Sequence, residues 1–207
     1  MSEKLSNEAV VDRALASIKA LRVDGGEVFL RDGQSTSIEV RDGEVESAIT
    51  RGERGIGVRV LRGGHVGFAY TSDLSPEGIE DCVTAARDIA VVTEPDPDVS
   101  IATEAIASPD LKLYEPSIDG RSVAERTDVA LAVERAARSV DPRITGFRKT
   151  TYSDGTLSTI VATTVDVRGA YRETYFSAGT SAVASAGDER QIGYHGEASR
   201  RFAAVDP

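Results

Sequence analysis

The sequence predicts an α+β protein, with a helix–antiparallel sheet–helix N-terminal domain followed by a helix and a strand-rich antiparallel second domain. Two observations lead to this fold class. Stretches with apolar residues at helical spacing enclose stretches in which apolar and polar residues alternate. Short turn pairs such as Asp42-Gly43 then join consecutive alternating stretches, as expected for hairpins of antiparallel strands.

The first domain begins with a helix predicted over 7–22, which Ser6 or Asn7 would cap. Asp42-Gly43 and the turn at 62–65 predict two hairpins. A second helix is predicted over 76–91, because Ser75 is a good cap and Pro76 needs no N–H partner in the first turn. Strands are predicted at 27–31, 35–41, 44–50, 56–61 and 66–70.

Residues 94–110 change character, since their prolines and acidic residues disfavour regular structure. They predict a boundary that divides the chain into domains 1–108 and 109–207.

The second domain is predicted to open with a helix over 121–140, capped by Asp119 or Ser122. Asp154-Gly155 then indicates a hairpin between further strands. Nothing in the final residues is predicted to cover the last strand, so we expect the chain to continue or to pair with another element. The predicted strands are 143–153, 156–167, 170–186 and 191–201.

Composition excludes some classes of function. The formal net charge of −10 argues against nucleic acid as a main partner, because phosphate binding needs a basic face. No apolar run is long enough to span a membrane, and the single cysteine suits a reducing compartment. The expected location is therefore the cytoplasm.

The residues predict no catalytic or metal site within the chain. His65 and His195 are far apart in sequence, and no zinc motif surrounds either. Cys82 lies on the apolar stripe of the second helix, which predicts an inert buried thiol. The glycines of 52–57 lead into a strand, so they predict a turn and bulge rather than a phosphate loop.

Several blocks of the sequence are informative by their order and spacing: VRDGEVE at 40–46, GIGVRV at 55–60, GFAYTSDL at 67–74, AARDIA at 85–90, DLKLYEP at 110–116 and DPRI at 141–144. Together they resemble the TldD/PmbA family, nearer its PmbA (TldE) branch, and the likeness covers about residues 8 to 200.

The resemblance implies a role in cytoplasmic peptide proteolysis, including maturation of small modified peptides. It implies a TldD-like partner subunit, or a homodimer, around an enclosed chamber, with zinc supplied by a His-Glu-x-x-x-His motif of the TldD subunit. That motif is absent from residues 1–207, so no catalytic residue and no cofactor of this chain is carried over. Family members are also about twice this length.

On this basis, small or unfolded peptides are expected to add as strands beside 156–167 and 170–186, with Tyr171 and Tyr175 as contacts. Two alternatives stay open. The chain is either an assembly or peptide-binding module without a proteolytic role, or an enzyme that uses a site without a recognisable motif.

Overall fold

A computed structural model describes residues 5–105 and 110–205. Within these residues the α+β prediction is confirmed. The helices are α1 Asn7–Lys19, α2 Pro76–Val92 and α3 Val123–Val140. The strands are β1 Gly25–Arg41, β2 Glu44–Arg62, β3 His65–Thr71, β4 Ile144–Thr163, β5 Arg168–Ala186 and β6 Glu189–Ser199.

The six strands form one sheet in the order β3-β2-β1-β4-β5-β6. The pairs β2–β3 and β5–β6 are antiparallel. Because β3 and β6 stand at the two ends of the order, they are the edge strands of the described sheet. The predicted hairpins at Asp42-Gly43 and Gly63-Gly64 are confirmed, since all four residues have positive φ. Such values are what tight hairpin turns require.

The described residues fall into two compact units, each assembled from several stretches of the chain. The domain boundary predicted between residues 108 and 109 lies outside the described residues. The first unit contains 5–33, 53–105, 110 and 158–171, and the second contains 34–52, 111–157 and 172–205.

In the first unit, α1 and α2 bury their apolar stripes against strands. Each helix begins as the sequence predicts: the Ser6 hydroxyl accepts from the N–H of Ala9, and the Ser75 hydroxyl accepts from the N–H of Gly78. Their shared core includes Val11, Ile18, Val28, Leu30, Val58, Val60, Ile79, Cys82 and Ile160.

In the second unit, α3 starts with a capping box. The Ser122 hydroxyl accepts from the N–H of Glu125, while the Glu125 carboxylate accepts from the N–H of Ser122. The predicted cap at Ser122 is therefore confirmed, and its alternative, Asp119, ends a short 3₁₀ turn instead. The core of this unit contains Ile38, Val40, Ile118, Val129, Ala130, Tyr152, Phe176 and Val205.

Two predicted turns are wrong, because both lie inside long strands. Asp154 and Gly155 belong to β4, and the glycine-rich stretch 52–57 belongs to β2. In each case glycine is needed for a close approach of another strand rather than for a turn. A Cβ on Gly155 would lie 2.8 Å from the carbonyl oxygen of Gln34, and one on Gly55 would lie 2.8 Å from that of Thr71.

None of the helices described is both long and apolar enough to cross a membrane.

Candidate functional site

The strand β6 forms an exposed edge of the sheet in the second unit. β6 pairs on one side with β5, from Phe176 opposite Ser199 to Ala186 opposite Glu189. No further strand follows β6 in the described part of the sheet. All residues of β6 except Ser199 are exposed. Within the described residues the outer edge of β6 is therefore unpaired, and such an edge can accept another extended chain.

One face of this edge carries exposed apolar side chains. Ile192 and Tyr194 are 59% and 77% exposed, and they pair with Val183 and Ser181 of β5. Side chains of directly paired residues share a face of the sheet, so this face combines an open edge with apolar contact area.

The same face of the sheet contains two glycines beneath the Tyr194 side chain. Gly179 and Gly196 lie opposite each other, and the hydroxyl of Tyr194 lies close over both backbones. A side chain at either position would meet the phenol ring of Tyr194 or its hydroxyl. The missing side chains therefore leave room for the tyrosine to lie flat along the strand.

The two tyrosines predicted to contact peptides both lie on β5, and they belong to different compact units. Tyr175, 41% exposed, belongs to the second unit and packs its ring against Gly155, where a Cβ would be 2.5 Å from the ring. Tyr171, 49% exposed, belongs to the first unit. Their role in peptide binding stays a prediction.

The strands predicted to accept peptides correspond to β4 and β5, and both have neighbours on each side in the sheet. β4 lies between β1 and β5, while β5 is paired with β6 from Phe176 onward. A peptide adds to a strand only where main-chain donors and acceptors are free, and in the described part of the sheet the outer edge of β6 meets this condition.

Metal-binding residue types do not converge on this site. His195 faces the opposite side of β6, 3.6 Å from the carboxylate of Glu197, and both side chains are exposed. A zinc site takes three or four ligands, and two side chains fall short of that number. No group of three or more His, Cys, Asp or Glu in the described residues is arranged to hold a metal ion. The residues here therefore do not fit the zinc that the resemblance implies for the family.

Cys82 has no feature of a nucleophile. Its side chain is buried in the core of the first unit, and this burial raises the pKa of the thiol. A raised pKa keeps sulfur in the unreactive thiol form.

A buried ionic cluster in the second unit was missed by the sequence analysis. The Arg126 Nε donates to both carboxylate oxygens of Asp154, at 2.9 and 2.8 Å, and the Tyr152 hydroxyl donates to the same carboxylate at 2.9 Å. Asp154 is only 1% exposed. Burial, together with the Asp154 charge, raises the pKa of Tyr152 well above its usual range. An Asp-Gly pair is a common turn signal, so Asp154 was predicted to lie in an exposed turn rather than in a buried cluster.

Comparison with known proteins supports the resemblance. Residues 26–90 match PmbA/TldA metallopeptidase domain 1, and residues 116–206 match the PmbA/TldA metallopeptidase central domain. The metalloprotease PmbA of Escherichia coli O157:H7 is 37% identical over 146 residues, which cover 69% of this chain and 31% of that protein. A PmbA homolog of Haemophilus influenzae is 29% identical over 180 residues, covering 85% of this chain and 39% of that protein.

The fold has a close structural counterpart. TldE from Thermococcus kodakarensis superimposes with a TM-score of 0.80 at 14% sequence identity, over 96% of this chain and 45% of that one. The chain thus spans less than half the length of each of these relatives.

Proposed function

Because the chain belongs to the PmbA/TldD metallopeptidase family, we propose that it serves as part of a PmbA/TldE-like subunit in a TldD/TldE-type metalloprotease system. The reaction of that system would be proteolysis or maturation of small or unfolded peptides in the cytoplasm. The observation that supports a peptide-directed role is the free edge of β6 with its exposed Ile192 and Tyr194.

In this proposal the chain holds the peptide and leaves the hydrolytic chemistry to another part of the assembly. An extended peptide beside β6 would exchange main-chain hydrogen bonds with it, which demands little of the peptide's sequence. Tyr194 would contact peptide side chains on this face, while Tyr171 and Tyr175 stay predicted contacts elsewhere on β5. Zinc would be held by a TldD-like partner subunit, since the residues described in this chain do not assemble a ligand set.

The peptide-binding step makes a prediction about main-chain hydrogen bonds. In a six-residue extended peptide, only alternate N–H groups face the strand it pairs with. N-methylation of the three amides that face β6 should weaken binding by about tenfold or more, because each methyl group removes a donor and blocks the approach. N-methylation of the other three amides should have much less effect. Fluorescence anisotropy of labelled peptides measures both.

Two tyrosines on opposite edge strands provide the matched control. Tyr194→Thr should weaken peptide binding, whereas Tyr70→Thr should leave it unchanged, because Tyr70 is 81% exposed on β3. Threonine suits strands, so both variants should fold. Equal sensitivity to the two methylation patterns, or equal binding by the two variants, would rule out strand addition at β6.

The partner makes a separate prediction. A TldD-like protein produced together with the full-length subunit that contains this chain should co-purify with it, and the complex should contain zinc that the chain alone lacks. Metal analysis and the mass of the purified complex measure this. Recovery of the subunit alone, or of a zinc-free homodimer, would instead support an assembly or peptide-binding module without a proteolytic role.

A further inference from the structure

A polar cleft of about 400 Å³ lies within the second unit, at the start of α3. Its volume is within the range of small-molecule sites, about 300–1,000 Å³. The strands β1, β2 and β4 contribute Gln34, Thr36, Thr50 and Thr156, and the segment before α3 contributes Asp119, Gly120 and Arg121. The cleft is separate from the β6 edge, and neither Tyr171 nor Tyr175 lines it, although the Tyr175 ring packs on Gly155 of its lining.

The charge of this cleft differs from that of the whole chain. Three arginines and two aspartates line it, whereas the chain carries 24 basic and 34 acidic residues. Each of the two aspartates forms an ion pair with an arginine. Asp154 accepts from Arg126 at 2.8 Å, and Asp119 accepts from Arg172 at 3.2 Å. The charge of Arg121 is therefore the one that no lining carboxylate compensates.

Arg121 is held in place, yet its nitrogens have no partners among the described residues. Its guanidinium carbon lies 3.7 Å from the centre of the Phe202 ring, so stacking fixes the plane of the group. Its Nε is buried without a hydrogen-bond partner in the described structure. The nearby Glu125 carboxylate accepts through Oε2 from the N–H and the hydroxyl of Ser122, both at 2.7 Å, and it acts on Arg121 through charge alone, without a hydrogen bond between them in the described structure.

An alternative explanation is that Arg121 only shields Phe202 from water. Arginines that cover apolar surface keep their polar nitrogens in solvent. The buried, unpartnered Nε of Arg121 does not follow that pattern, because leaving a buried donor unsatisfied is unfavourable. This arrangement is expected of a guanidinium that binds an acceptor supplied by a ligand.

Neutral hydrogen-bonding groups complete the cleft. The hydroxyls of Thr36 and Thr50 lie 3.1 Å apart, and Thr36 is only 5% exposed. Hydroxyls of this kind both donate and accept, so they suit the remaining oxygens of a small ligand.

We propose that this cleft binds a small oxyanion, either a carboxylate or a phosphate group, with Arg121 as its principal ligand. The guanidinium matches the spacing of two oxygens in either group. This inference does not rest on the peptide-directed role, since it uses neither the β6 edge nor a partner subunit.

Titration of the 207-residue chain with sodium phosphate and with sodium acetate tests the proposal. Calorimetry at constant ionic strength, balanced with chloride, should show saturable binding of at least one of the two anions. In ¹H–¹⁵N spectra the same titration should shift the amides of residues that line the cleft, such as Gly120 and Gly155. Shifts located elsewhere, or heat that never saturates, would overturn the proposal without any variant.

A pair of matched variants separates binding at the cleft from general charge effects. Arg121→Gln should weaken anion binding by about tenfold or more, because it removes the charge and the paired donors. Arg138→Gln should change it less than twofold: Arg138 also stacks on an aromatic ring, Phe147 at 4.7 Å, and lies outside the cleft. Equal losses in the two variants would overturn the proposal.

The source of the oxyanion is decided by a further comparison. A short peptide with a free C-terminus that binds more tightly than its amidated counterpart would assign the site to peptide carboxylates. Phosphate binding with no difference between the two peptides would assign it to a phosphate-bearing ligand. Absence of binding by every probe would rule out the site, and the peptide contacts proposed at β6 would be unaffected.

Discussion

Asp154→Ala is expected to lower the free energy of unfolding by about 3–5 kcal/mol, because it leaves a largely buried guanidinium without its counter-charge. The Arg126 side chain is 12% exposed and directs its Nε to the Asp154 carboxylate. The variant also leaves the hydroxyl of Tyr152 without its hydrogen-bond acceptor, since that hydroxyl donates to the same carboxylate. Urea unfolding, followed by fluorescence or circular dichroism, measures the change.

The control for Asp154 is an exposed carboxylate with the same kind of partner. Glu46 pairs with Arg41 at 2.7 Å, and their side chains are 35% and 47% exposed. Glu46→Ala should cost about 1 kcal/mol or less, as exposed ion pairs generally do.

A double variant identifies the cause. Asp154→Ala combined with Arg126→Leu should lose less stability than the sum of the two single variants, because no unpaired charge remains. Additive losses, or a small effect of Asp154→Ala alone, would contradict the ion-pair explanation.

Gly67→Ala is expected to cost about 3 kcal/mol, at the upper end of typical overpacking penalties. Gly67 lies on β3 beneath α2, and a Cβ there would overlap the carbonyl oxygen of Ala86 and lie 2.6 Å from the backbone nitrogen of Ala90. Both contacts are to helix backbone, which cannot rotate away as a side chain does. Thermal unfolding should show a lower Tm, by about 6–12 °C for a chain of this size.

Gly169→Ala provides the comparison for Gly67. Gly169 is also a strand residue of the first unit, but no atom lies within 4 Å of the position that a Cβ would take there. Its substitution should leave stability unchanged or raise it slightly, because alanine reduces the freedom of the unfolded chain. Similar losses in both variants would mean that α2 does not pack closely on β3.

Local signals predicted the elements that depend only on neighbouring residues. Ser6, Ser75 and Ser122 cap their helices because the donor that each satisfies lies three residues along the chain. Asp42-Gly43 forms its hairpin because the required positive φ values are properties of the turn itself.

Strand length and strand order were harder to predict from the sequence. Predicted strands 27–31 and 35–41 are one strand, β1, and the edge strand at that end of the sheet is β6 rather than β4 or β5. Pairing between β1 and β4 joins residues more than a hundred positions apart, and no local pattern specifies which strands become neighbours.

The Asp154-Gly155 pair shows most directly which features depend on the local sequence and which depend on tertiary structure. By itself the sequence determined the class of fold, the helix starts, the tight turns and the family, since these depend on short blocks of residues. Tertiary structure alone decided that this Asp-Gly pair lies within a strand. Arg126, 28 positions away, neutralises the aspartate, and the backbone of Gln34 and the ring of Tyr175 occupy the space beside the glycine. A turn signal is read from adjacent residues, whereas burial and close approach depend on partners that only the folded chain brings together.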